Sequence, residues 1–93
     1  MKNSRLVNGF GMVSNDVIKN PDISLSEKAV YAYLCCHANS KTNELVVSTN
    51  RIASECGIAP ITAKRILASL QSYDIIQRIR IGRGKVSKTI ILK

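Results

Sequence analysis

One corner constrains this chain more than any other feature. In residues 51–70, RIASECGIAPITAKRILASL, the apolar side chains recur at helical spacing, yet Gly57-Ile58-Ala59-Pro60 cuts the run in the middle. Gly57 stands where a helix commonly ends in a left-handed residue, a conformation glycine adopts without steric cost. Pro60 stands where a new helix begins, because its missing N–H is one that a first turn leaves unpaired anyway. Two short helices are therefore expected in place of one long rod. Ile52, Ala53 and Cys56 form the inner face of the first, and Ala63, Ile66, Leu67 and Leu70 the buried stripe of the second. The small Ala53 lets the two approach closely, and Ile58 is expected to plug their junction.

The flanking sequence supplies the rest of the elements. Residues 1–13 read as an arm or short edge strand. Ser14 to Lys19 suit one helical turn capped by Ser14, and Asn20-Pro21-Asp22 ends it, since a residue before proline disfavours the helical region. Ser24-Leu25-Ser26-Glu27 matches a capping box, so a helix should follow through about His37, with Ala29, Val30, Tyr33, Leu34 and His37 on one face. Asn39 to Asn43 is a polar loop, Glu44 to Val47 a brief strand, and Ser48 a cap for the helix beginning near Thr49. After Asp74 the period becomes alternating. Residues 76–81 form a strand with Ile79 and Ile81 on one face and Arg78 and Arg80 on the other. Gly82-Arg83-Gly84-Lys85 is a turn, and Val86 to Lys93 a second strand with Ile90 and Leu92 on one face. The expected class is α+β: a three-helix core with a C-terminal β-hairpin, the winged form of the helix-turn-helix, occupying residues 14–93 behind an arm of residues 1–13.

Ninety-three residues allow one small domain, and an apolar fraction of 45% suffices for its core. Charge is unevenly spread. Residues 1–50 carry five Lys or Arg against four Asp or Glu, whereas residues 51–93 carry nine against two, within a net charge of +8. A lopsided basic half suits a polyanion. Cys35, Cys36 and Cys56 are odd in number and form no C-x-x-C, so a disulfide framework is not expected and a reducing cytoplasm fits better. Cys36-His37 has no second ligand pair, and no metal or cofactor is expected. The start of the chain lacks a long apolar run behind basic residues, and no stretch approaches the ~20 apolar residues of a membrane span.

Two helices fixed at a steep angle leave the N-terminal half of the second projecting, where it can enter a DNA major groove. Once its buried stripe is removed, the outward face consists of Pro60, Ile61, Thr62, Lys64, Arg65 and Ser69. Lys64 and Arg65 can donate to guanine O6 and N7 or to phosphates. Thr62 can bond a base edge or phosphate, and Ile61 can touch a thymine methyl. Ser48 and Asn50, at the start of the preceding helix, are placed for phosphates together with backbone N–H groups. Gly82 and Gly84 flank Arg83, so that Arg83, with Lys85, can reach a minor groove or the backbone. Arg78, Arg80 and Lys88 on the hairpin's polar face would add attraction. If about six such cations neutralise phosphates, affinity should fall with salt at a log–log slope of about −5. The candidate DNA-binding residues are thus Ser48, Asn50, Ile61, Thr62, Lys64, Arg65, Ser69, Arg83 and Lys85, on a recognition helix at 60–72, its neighbour and a basic wing at 82–86.

The segment 9-GFGMVSNDVIKNPDISLSEKAVYAYLCCHAN-39 resembles the start of winged helix-turn-helix domains from Gram-positive mobile elements, among them N-terminal domains of plasmid replication initiators and small phage or plasmid regulators. Asn20-Pro21-Asp22, Leu25-Ser26, Ala29, Tyr31-Ala32-Tyr33-Leu34 and Ala38 carry the likeness. Ser48, Ile52-Ala53, Gly57-Ile58 and Leu70 extend it, so that it covers residues 9–81. LSEKAVYAYL is fairly specific to that group, while the helix-turn-helix pattern is specific to the fold alone. Two departures stand out: the group commonly has Ser or Thr at the position of Ala59 and a polar or basic residue at that of Pro60. Loss of the hydroxyl cap weakens the helix start by ~1 kcal/mol, partly offset by Pro60, which in turn removes one plausible base contact and shifts readout toward Thr62, Lys64 and Arg65.

The leading function is sequence-specific binding of double-stranded DNA by a transcriptional regulator of a mobile element, in the cytoplasm and associated with nucleoid or plasmid. The alternative is the origin-binding domain of a plasmid replication initiator. A winged helix used only for protein contact ranks below both, because it predicts a recognition face without cations. A chain ending at Lys93 fits a small stand-alone regulator or a piece of a longer initiator. Such modules commonly bind as homodimers on repeated half-sites, and residues 1–13 could supply a dimer strand. An enzyme is not expected: His37 is the only histidine, the carboxylates are scattered, and no nucleophile elbow, phosphate loop or small-molecule site is evident. A membrane-surface role lacks a strongly amphipathic basic helix.

Overall fold

Ser14 starts the first helix by a route other than its side chain. A computed structural model describes residues 13–39, 41–80 and 86–93. Residues 1–12 of the expected arm, Ser40 of the polar loop and residues 81–85 of the expected turn, with Arg83 and Lys85, lie outside them. Helix α1 is Asn15–Ile18, and the Ser14 hydroxyl makes no capping bond to it. The backbone N–H of Ser14 instead donates to Tyr31 Oη at 2.8 Å, and that hydroxyl donates to the Lys93 carbonyl at 2.7 Å. One buried tyrosine thereby ties both ends of the described chain to helix α2, Leu25–His37. Burial pushes its hydroxyl pKa up to about 12.

The start of α2 follows its sequence. Ser24 Oγ accepts from the Glu27 N–H at 3.1 Å, and Glu27 Oε1 accepts from the Ser24 N–H at 2.9 Å, closing the capping box. Its inward face follows only in part. Val30, Tyr31, Leu34 and Cys35 are buried, while Ala29 and His37 are exposed and Tyr33 half-buried. The helix is turned so that Tyr31 and Cys35 face the core, because residues 29–36 are apolar throughout and offer no unique stripe. His37 lies against the Tyr33 ring, centroids 4.5 Å apart, at the surface.

Asn39 folds the loop on itself, its Oδ1 accepting from the Lys41 and Thr42 N–H groups. Strand β1, Glu44–Ser48, leads directly into α3, Thr49–Cys56, which Ser48 Oγ caps through the Arg51 N–H at 3.1 Å. Gly57 ends α3 at φ 73° and ψ 33°, with the N–H groups of Gly57 and Ile58 both bonded to the Ala53 carbonyl. A Cβ at Gly57 would meet nothing within 4 Å, so the left-handed backbone alone requires glycine there. Helix α4, Pro60–Ser72, follows with proline in its first turn. Ala63, Ile66, Leu67 and Leu70 are its buried residues, and Ile58 packs half-buried against the same core. The two-helix corner and its stripe form as the spacing predicts.

The sheet has the three expected strands but differs from expectation in joining the first to the hairpin and in facing. β1 joins β2, Ile76–Arg80, and β3, Val86–Ile91, in an antiparallel sheet of order β1-β3-β2. The register sets Arg78 opposite Thr89 and Ile79 opposite Lys88, while Thr89 also faces Leu45. Ile76, Thr89, Leu45 and Val47 are buried, so the inner face is the one that carries Arg78 and Arg80. Ile79 is 43% exposed on the outer face, and Ile90 shares that face. The expected assignment of Ile79, Ile90 and Leu92 inward and the arginines outward is therefore inverted. A one-residue slip in reading period 2 exchanges the two faces completely. Ile76, fully buried in the core, decides which is right.

Candidate nucleic-acid interface

The corner brings two helix starts together at one end of the sheet. Ser48, Thr49 and Asn50 from the start of α3, Pro60, Ile61 and Lys64 from the start of α4, and Arg80 and Ser87 from β2 and β3 line a cleft of about 460 Å³. Four of the sequence-derived candidates, Ser48, Asn50, Ile61 and Lys64, share this cleft. Thr62, Arg65 and Ser69 lie on α4 outside its lining. Lys64 and Arg65 are exposed, Thr62 and Ser69 half-buried, and Ile61 is 70% exposed, a large apolar side chain left in water. A single exposed isoleucine is ordinary on a protein surface, as Leu25 at 83% shows; its place in the cleft beside Lys64 is what makes Ile61 a candidate contact.

The electrostatics favour an anion. Neither α3 nor α4 has an acidic residue in its first turn. No side chain caps α4, Ala59 having no hydroxyl and Pro60 no N–H. The N–H groups of Ile61 and Thr62 therefore lack intrahelical acceptors and carry the positive end of the helix dipole. Among the described residues neither Lys64 nor Arg65 pairs with a carboxylate. The carboxylate on α3, Glu55, is engaged elsewhere: it accepts from Tyr33 Oη and from Arg51 Nε at 3.3 Å, and lies 4.0 Å from His37 Nε2. The Tyr33 bond, then Arg51, holds its carboxyl below the usual range.

Two hairpin cations change roles. Lys88 is on the outer face, paired with Glu44 at 3.4 Å, and does not line the cleft. Arg80, read from sequence only as part of a diffuse attraction, lines the cleft beside Lys64. Thr49, Pro60 and Ser87 complete the lining and were not among the candidate residues. Period-2 counting from Ile76 would have placed Arg80 inward; anchoring the count on Ile79 hid it. Among the described residues no three His, Cys, Asp or Glu side chains gather as metal ligands, and no helix is long and apolar enough to cross a membrane.

Neither the curated proteins nor the solved structures hold a significant match to the chain. The family of the helix-turn-helix domain matches residues 22–76, more than half of the 93, from the turn before α2 to the first residue of β2. That span holds the corner, both of its helices and every candidate residue except Arg83 and Lys85. With the glycine turn formed, α4 exposed along one side and a sheet beside it, the chain belongs to the helix-turn-helix domain family.

Proposed function

We propose that this protein binds double-stranded DNA by seating α4 in the major groove, as a transcriptional regulator of a mobile element. The observation that carries the reading is the division of α4. One side is buried without exception, and the other presents Ile61, Lys64 and Arg65 to solvent beside an uncapped helix start. In this reading Arg65, Lys64 and Thr62 meet base edges, Ile61 meets a thymine methyl, and Ser69 supports the far end of the contact. Ser48, Asn50 and the free N–H groups of α4 hold phosphates, and Arg80 joins them across the cleft. Arg83 and Lys85 fall between β2 and β3 in the chain and are assigned to the neighbouring backbone or minor groove. Residues 14–93 act as one unit, working in pairs on repeated half-sites.

Selection of bound duplexes from a random pool, followed by footprinting, tests this. Inverted half-sites near a promoter support the regulator. A direct-repeat array supports the origin-binding alternative, which the Leu25–Leu34 likeness to replication initiators keeps second. Failure to retain any duplex overturns both and favours a protein partner. Arg65→Ala should relax preference at one base pair, at a cost of about 1–3 kcal/mol, whereas Arg83→Ala should weaken all sequences alike and reduce the salt slope by about 1.

A further inference from the structure

Arg78 stands apart from the other cations. It lies on the inner face of the sheet, opposite the fully buried Thr89. Its Nη2 donates to the Val47 carbonyl at 3.4 Å, and Nη1 is buried without an acceptor among the described residues. Its backbone N–H donates to Gln71 Oε1 at 3.2 Å, tying the strand to the last turn of α4. No carboxylate pairs with it among the described residues. Burial lowers its pKa from the ordinary arginine value, as expected for a cation taken from water without a counter-charge. Such a group is unfavourable inside a fold unless something compensates it.

Its position supplies the compensation. Val47 directly precedes Ser48, and Arg80 is the next residue along the same face of β2; Ser48 and Arg80 both line the cleft. The guanidinium is thus half-buried next to residues that line the cleft, with its Nη1 shielded from water. A charge in such surroundings projects its field further than one on an open surface. We propose that Arg78 supplies positive potential to the cleft from behind, matched when a duplex phosphate is seated there, without itself touching the nucleic acid. This rests on the duplex-binding reading above. It differs from the roles of Lys64 and Arg80, which reach the cleft directly.

The test compares Arg78→Met, which keeps an apolar stem and removes the charge, with Arg78→Lys, which keeps the charge. Duplex affinity is measured across a salt series, with circular dichroism and urea melts on each protein. Arg78→Met should weaken binding about 5-fold at low salt, the order expected of one unit charge acting through a partly buried path. Its salt slope should flatten by less than the full unit lost with a directly contacting cation. Arg78→Lys should bind within about 2-fold of the parent on the same basis. Parent-like binding by a folded Arg78→Met overturns the proposal, and so does an equal loss in Arg78→Lys, which would reduce Arg78 to a structural tie. Should Arg78→Met fail to fold, the side-chain 15N resonances of Arg78 in the parent decide. Movement on adding duplex supports the role, and unmoved resonances overturn it. A parent that binds no duplex overturns the underlying reading, a result visible before any variant is made.

Discussion

Helices α2 and α4 are each 13 residues long and each bury four side chains, but they begin and face in opposite manners. α2 starts with every local device in place, its capping box satisfying two backbone donors within the protein. α4 starts with Pro60 but no side-chain cap, and its first donors are left to whatever occupies the cleft. The faces reverse the contrast. The α4 stripe recurs at 63, 66, 67 and 70 among polar neighbours and admits one facing only. Residues 29–36 of α2 are apolar all round, so that its facing depends on what packs against it. The helix with the capped start is thus the one whose facing its own sequence leaves open, and the helix without a side-chain cap is the one whose stripe admits a single facing.

The most severe challenge to this contrast is truncation within each buried face. Leu34 and Leu70 are both 0% exposed, so Leu34→Ala and Leu70→Ala should each destabilise by about 2–5 kcal/mol in urea melts. A cost near zero at Leu70 would mean that the α4 stripe is not core. The facing of α2 is tested next by Tyr31→Phe. Removing the hydroxyl strands the Ser14 N–H and the Lys93 carbonyl, and about 1–3 kcal/mol should be lost. Ala29→Gln, on the exposed side, should stay within about 0.5 kcal/mol of the parent. The reverse pattern would restore the facing expected from sequence.

The helix starts give a smaller pair of effects of opposite sign. Ser24→Ala should cost about 1 kcal/mol, whereas Ala59→Ser should gain up to about 1 kcal/mol, because Ala59 already has N-cap geometry at φ −70° and ψ 148°. Equal, negligible changes would remove the distinction between closed and open starts. Glu55→Gln should have the least effect. A carboxyl held below its usual range adds stability above its unfolded-state pKa, and that stability is lost as pH falls through the folded value. The parent should therefore lose an increment of stability on acidification below the ordinary glutamate range that Glu55→Gln does not, as read by thermal melts across pH.

Where the sequence was legible, a local rule had a single answer. Gly57 and Pro60 specify the corner because left-handed backbone and a missing N–H each suit few positions, and Ser24 with Glu27 specifies a start because each side chain reaches the other's backbone. The candidate site was half legible for the same reason. Lys64 and Ile61 follow from the α4 stripe, but Arg80 and Arg78 depend on the strand facing. Five residues of β2 with isoleucine at 76 and 79 fit both facings equally, and the strand's own pattern could not choose.

The sequence by itself determined the helix ends, the break at Gly57 and the exposed cations of α4, since each follows from backbone sterics or from a stripe within one segment. Only the tertiary structure decided that β1 joins the hairpin, that Tyr31 rather than Ala29 faces inward, and that Arg78 and Arg80 lie on the inner face of the sheet. Those choices belong to contacts between segments distant in the chain: Ile76 within the common core, Thr89 between Leu45 and Arg78, and Tyr31 between Ser14 and Lys93. Packing energy selects among local alternatives that cost the same, so nothing within a single segment can reveal the outcome.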